Sequence, residues 1–372
     1  MNTLIRRHAS GKLAAMKLLG QPYGKPQQTS DHALFFSEYT KMMVNDPSKT
    51  VYKQIGQSLK VVERRAVRPN DMEVDPFQLK AELNSVFGER VTSQLKIDRF
   101  IKERLSIAKP HIISTILKLG GAKAPQGAVT KKHLVAIGRR IAVSALHDKW
   151  DYVNVAFCFN GLRTFDINTP GMRTLLDALV SVTDKLNKSE ILPTSQNISM
   201  AMSGLQNIDF LNNSIVKLVT CMNTMLLRCS DEFTAQSIGS CMLGLKKMTR
   251  TTKASTELLK TLTAKIAASD AVLDSQAVSN SLYGLQGMVS EQPEVCELLK
   301  VLLPKVLNCR EALNAQGIGN SLYGMQEMSC WHPEVAAMMA AIAIKLKDSK
   351  SALDAQGFSN AMYGLKCMES GE

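Results

Sequence analysis

A 40-residue self-similarity runs through the C-terminal half of the chain and constrains its fold more than any other feature. The segments TSQNISMAMSGLQNI (194–208), TAQSIGSCMLGLKKM (234–248), DSQAVSNSLYGLQGM (274–288), NAQGIGNSLYGMQEM (314–328) and DAQGFSNAMYGLKCM (354–368) follow one another at a constant interval. Gln196, Gln236, Gln276, Gln316 and Gln356 are 40 residues apart, and so are Gly204, Gly244, Gly284, Gly324 and Gly364. A degenerate copy, VNVAFCFNGLRTF (153–165), places Gly161 43 residues ahead of Gly204, and a weaker one lies at HIISTILKLGG (111–121). Self-similarity at a period of roughly 20–50 residues marks solenoids, propellers and related arrays.

Each unit reads as a helical hairpin. Two residues before the glutamine stands Thr194, Thr234, Asp274, Asn314 or Asp354. All five are residue types whose side-chain oxygen accepts from the first unpaired N–H groups of a helix. Apolar residues follow at helical spacing, as in Ile318, Leu322, Met325 and Met328. The recurring glycine then falls inside a helix, where it costs about 1 kcal/mol relative to alanine, so its repetition predicts close approach of a neighbouring backbone. After a short loop, Pro170, Pro293 and Pro333 are expected in the first turn of a second helix, with Glu294 and Glu334 suited to its N-terminus. Pro304 is expected to kink one of these helices. The expected fold is all-α: an α-solenoid of stacked two-helix repeats.

The organisation expected from this pattern has four parts. Residues 1–25 read as an organellar targeting segment, because five basic and no acidic residues lie among hydroxyl and apolar ones up to Lys25, and Asp31 is the first acid. Mitochondrion is preferred, with plastid as the alternative. Residues 26–74 are a basic extension or linker. Residues 75–149 form a divergent helical region with capping repeats, and 150–372 the repeat array. Its last repeat stops after a first helix, so the sequence reading expects either a fragment or a protein partner covering the open C-terminal repeat.

Charge is distributed as unevenly as the repeats. Residues 1–150 carry 26 basic and 12 acidic side chains; residues 151–372 carry 19 and 21. Any polyanion affinity is therefore expected to start in the N-terminal part, since counterion release follows local Lys and Arg density. No apolar stretch reaches the roughly 18 residues that a membrane span needs. The eight cysteines form no CxxC or CxxH and read as reduced, buried thiols, with no metal site expected. The histidines show no HExxH, no Gly-flanked Ser elbow occurs, and Gly120-Gly121 lacks phosphate-loop spacing. Neither a catalytic role nor a cofactor is expected.

The run from the polar cap through Q-x-[IVF]-[SG]-N-x-[LM]-Y-G-[LM]-x-x-M, as in Gln316 to Met328, resembles the octotricopeptide (OPR) repeats of algal and protist organelle proteins, relatives of the FAST-kinase and RAP-domain families. The resemblance covers about 150–372; the unit is slightly longer than theirs and lacks their Pro-rich opening. It implies a helical solenoid that binds organellar RNA or a ribonucleoprotein and acts in transcript processing, stability, translation or ribosome association.

Candidate contacts follow from the repeat. Gln276 and Asn280, Gln316 and Asn320, and Gln356 and Asn360 are four apart and share a helical face, and such amides can satisfy the edges of a base. Tyr283, Tyr323 and Tyr363 are candidates for stacking on bases or for the core. The competing reading of the invariant glutamine is an inter-repeat hydrogen-bond ladder. Variable positions offer better specificity candidates: Asn197, Ser237, Ala277, Gly317 and Gly357 after the glutamine, and Gln206, Lys246, Gln286, Gln326 and Lys366 after the glycine. Lys246, Lys247, Arg250 and Lys253 form the densest basic cluster of the array, and Lys131, Lys132, Arg139 and Arg140 a second group; each is either a phosphate anchor or a solvated face. The alternative function is a protein–protein scaffold or accessory subunit of a large organellar complex, which the near-neutral array favours.

Overall fold

The computed structural model describes residues 81–82, 94–105, 108–123, 131–163, 165, 168–208, 213–249, 252–349 and 351–368. The chain divides after Glu73, and every described residue belongs to the unit Val74–Glu372. The expected targeting segment and extension, and most of residues 75–93 of the expected divergent helical region, lie outside the described residues.

The described residues form an α-solenoid: fourteen helices and no strand. One layer holds the first helices of the repeats, α2 (Pro110–Lys123), α4 (Tyr152–Leu162), α6 (Ser195–Ser203), α8 (Ala235–Gly244), α10 (Ser275–Tyr283), α12 (Ala315–Tyr323) and α14 (Ala355–Gly364). The other holds α1 (Gln94–Leu105), α3 (Lys131–His147), α5 (Met172–Asn187), α7 (Asn213–Arg228), α9 (Lys253–Ala267), α11 (Pro293–Leu307) and α13 (Pro333–Asp348). Within each layer every helix packs on the next of its own kind, so the two layers advance in step from α1 and α2 onward. None of the described helices is long and apolar enough to cross a membrane.

Local chemistry starts these helices where the sequence places them. The side chains of Thr194, Thr234, Asp274, Asn314 and Asp354 each accept from the backbone N–H three residues on, at 2.6–3.1 Å for Asp274 and Thr194. Pro293 and Pro333 occupy the first helical position. Pro170 does not: it precedes Gly171, the N-cap of α5, whose φ of 99° is a left-handed conformation that favours glycine. Pro304 lies one turn from the end of α11, and the helix continues through it to Leu307.

The recurring glycine stands at the end of the first helix: Gly244 and Gly364 are its last helical residue, and Gly204, Gly284 and Gly324 its C-cap. Gly284 and Gly324 are C-cap residues with φ near −64°, so no unusual backbone conformation calls for glycine there. The reason is the neighbour. A Cβ on Gly204, Gly244, Gly284, Gly324 or Gly364 would overlap the carbonyl oxygen of Phe159, Met202, Met242, Leu282 or Leu322 of the preceding repeat. The same approach sets Gly161 against Leu117 of α2, which places the weak copy at 111–121 in the same stack. The core runs continuously between the layers. Ile318, Met325 and Met328 are fully buried and Leu322 nearly so, each contributing about 1.5–3 kcal/mol of transfer free energy.

Candidate nucleic-acid interface

Helical spacing puts Gln276, Asn280 and Tyr283 on one stripe of α10, and Gln316, Asn320 and Tyr323 on the same stripe of α12. Gln356, Asn360 and Tyr363 repeat it on α14. The glutamines are exposed and the asparagines half-buried. Gln276 Nε2 donates to Asn280 Oδ1 at 3.0 Å within the same helix. This pair is therefore a surface feature and not a rung between repeats.

The rungs are made by other side chains. Asn160 Nδ2 donates to Ser203 Oγ at 3.0 Å, and Gln326 Nε2 to the Gln286 carbonyl at 2.7 Å. In the second layer Lys265, Lys305 and Lys345 donate across the interface to the carbonyls of Cys229, Ser269 and Cys309 at 2.5–2.6 Å. Arg228 and Lys185 bridge earlier interfaces to Leu186 and Ala145. Lys265, Lys305 and Lys345 are 40 residues apart, a shorter run of the same period as the glycines. A basic residue in a near-neutral array reads as surface charge, and that hid their role. Lys345 is 6% exposed and its charge ends on backbone oxygens.

The tyrosines form a column along the stack. The rings of Tyr283 and Tyr323 lie 5.9 Å apart, and those of Tyr323 and Tyr363 5.4 Å apart and nearly parallel. Rings this close leave no room for a planar ligand between them, so the column presents mainly ring edges. Lys246 Nζ stands 5.9 Å from the Tyr283 ring and Lys366 Nζ 4.7 Å from that of Tyr363, within cation–π range. Burial, and then Lys247, hold the Lys246 ammonium below its ordinary range. Lys247 and Lys253 are exposed, and Arg250 lies outside the described residues.

The second basic group is divided by the fold. Lys131 and Lys132 open α3, and Lys132 and Arg139, two turns apart, are exposed. Arg140 turns inward: its Nε and Nη2 donate to the Ala108 carbonyl at 2.9 and 2.6 Å, and Asp148 lies 3.8 Å away. Arg140 therefore ties α3 to the start of α2. Lys132 and Arg139 sit in the second layer and Lys246 and Lys247 at the end of a first-layer helix, so the structure does not merge the two groups. Of the eight cysteines, all free, six are buried and Cys330 and Cys367 are half-buried. Sequence motifs also miss a cluster of Cys296, His332 and Glu334, because the first is 36 residues from the second and they meet only across two repeats.

No protein-family model and no curated protein matches the chain.

Proposed function

We propose that the protein binds RNA, or an RNA-containing assembly, through the stripe of the first-helix layer. The observation that carries this reading is a surface on which Gln and Asn amides and tyrosine edges repeat in register from α10 to α14, with Lys246 and Lys366 against the first and last rings of the tyrosine column. Exposed amides can pair with base edges, the tyrosine edges add apolar contact, and Lys247 and Lys253 suit phosphates. The exposed Lys132 and Arg139 add sequence-independent affinity. The resemblance to octotricopeptide repeats supports the same reading. So does the acid-free start of the chain for an organellar location, mitochondrial before plastid.

The test is RNA binding by the full chain across a salt series. Replacing Gln276, Gln316 and Gln356 together by Ala is expected to weaken binding and flatten selectivity among RNA sequences. Lys132→Ala with Arg139→Ala is expected to weaken all RNAs alike and to reduce the salt slope by about 1–2. Unchanged binding after the glutamine replacement would remove the stripe from the interface.

One observation favours a scaffold as the second reading. Phe358 and Met362 on α14 and Leu365, its C-cap, are 55, 55 and 37% exposed, whereas Ile318, Leu322 and Met325 at the same repeat positions are buried. A protein partner that presents another helical repeat surface would bury them.

A further inference from the structure

Where α11 meets the start of α13, three side chains of metal-ligating type converge. Donor atoms of Cys296, His332 and Glu334 all lie within 4.8 Å of one another, and Cys296 Sγ is 3.8 Å from His332 Nδ1. With Zn–S about 2.3 Å and Zn–N about 2.0 Å, tetrahedral ligand atoms stand about 3.5 Å apart, so side-chain shifts of about 1 Å close the set. Two helix starts hold these residues. Cys296 is buried in the first turn of α11, His332 is the N-cap of α13, and Glu334 lies in its first turn.

The preceding repeat separates structure from chemistry. At the same positions it carries Thr256, Gln292 and Glu294, and there Lys260 pairs with Glu294 at 3.6 Å. Lys300 and Glu334 repeat that ion pair at 3.5 Å. The glutamate is thus accounted for by packing between repeats. The thiol and imidazole facing each other beside it are not, because neither belongs to the repeat.

We propose that Cys296, His332 and Glu334 bind one thiophilic divalent metal ion, Zn²⁺ foremost, which clamps α11 to α13. A thiolate, an imidazole and a carboxylate are a borderline-soft ligand set suited to zinc, with a fourth position left for water. On binding, the Cys296 proton passes to solvent and its contact with the Ser290 carbonyl, now 3.2 Å, is given up. The Glu334 carboxylate has enough lone pairs to accept from Lys300 and ligate at once. The positive N-terminus of α13 opposes a cation, but thiolate and carboxylate together supply two negative charges to offset it. Burial and the neighbouring Glu334 hold the thiol above its ordinary range, so this pair is not arranged as an activated nucleophile. The inference is independent of RNA binding.

The full chain, reduced and freed of metal by chelator dialysis, is titrated with Co²⁺ and then with Zn²⁺. The expected result is a thiolate-to-cobalt charge-transfer band that saturates at a single equivalent and is displaced by Zn²⁺, together with a Zn²⁺-dependent rise in Tm. Cys296→Thr and His332→Gln introduce the side chains that the preceding repeat carries as Thr256 and Gln292, so both preserve the repeat pattern. Each is expected to abolish the band and the rise in Tm while leaving the far-ultraviolet circular dichroism unchanged; if one variant loses its helical signal, the other is decisive. No band in the unaltered chain, or a band that persists in the correctly folded variants, overturns the proposal.

Discussion

Glycine at the end of each first helix is selected by contact, since its backbone is ordinary and its missing side chain is what the neighbour needs. Gly324→Ala gains about 1 kcal/mol of helix propensity at most but drives a methyl into the Leu282 carbonyl, and overpacking of this kind costs about 1–3 kcal/mol. Urea unfolding is expected to show net destabilisation. Gly317→Ala is the contrasting case. Its Cβ meets only the far end of Asn314 and ordinary van der Waals neighbours, and the equivalent position already holds Ala277. That variant is expected to be neutral or more stable. The thiols give a second prediction at this scale. Burial raises the pKa of Cys158 and Cys241, and pushes that of Cys221 up to about 11. A thiol reagent at mildly alkaline pH is expected to modify Cys330 and Cys367 first, and the buried six only after denaturation. Rapid labelling of Cys158 in the folded protein would contradict the packing described for α4.

Helix starts are satisfied both within a repeat and from the next one. Asp274 caps α10 locally, while Glu311, one repeat on, accepts from the Ser275 amide at 3.0 Å and from its hydroxyl at 2.8 Å. Asp231 does the same for the Ser195 amide. The Ser275 amide and then its hydroxyl hold the Glu311 carboxyl below its usual range. A depressed carboxylate contributes stability above its unfolded pKa and loses it as pH falls through the lower folded value. Glu311→Gln is therefore expected to destabilise modestly at neutral pH and to remove part of the decline on acidification, so the two proteins converge in acid. A constant difference at every pH would show that the charge is irrelevant to this cap. The lysine rungs act between the same elements. Lys265, Lys305 and Lys345 each carry an ammonium to a carbonyl that the preceding loop leaves without a helical partner, and such charge-assisted bonds contribute about 1.5–3 kcal/mol.

For the molecule as a whole, stability is a sum over units and the interfaces between them, because each repeat buries its apolar face only against its neighbours. Residues 270 and 310 are equivalent positions, so deletion of 270–309 removes α10 and α11 and rejoins the chain in register. The expected product is soluble and helical, with unchanged ellipticity per residue, a lower unfolding free energy and a smaller urea m-value. Undiminished stability, or the appearance of strand, would be incompatible with this fold. The deletion also removes the Cys296 ligand and one rung of the amide stripe, so it tests neither binding proposal and is a stability experiment alone.

Much of this fold is legible in the sequence, because a repeat announces itself without tertiary information. The cap residues, the apolar spacing and the period determine the helices and their stacking, and the recurring glycine determines where backbones touch. Those are local or periodic constraints, readable one unit at a time. The partners of side chains are a different matter. Gln276 is invariant and yet lies on the surface, bonded to its own helix, whereas Lys345, with a side chain that reads as solvated, is buried on a carbonyl. Arg140 reads as a phosphate anchor or a solvated side chain and ends on Ala108. Cys296 and His332 meet only when two repeats stack. Periodicity specifies which face of a helix points inward. It does not specify which atom stands opposite when the next repeat arrives, because that depends on the offset between helices, and only the packed structure decides it.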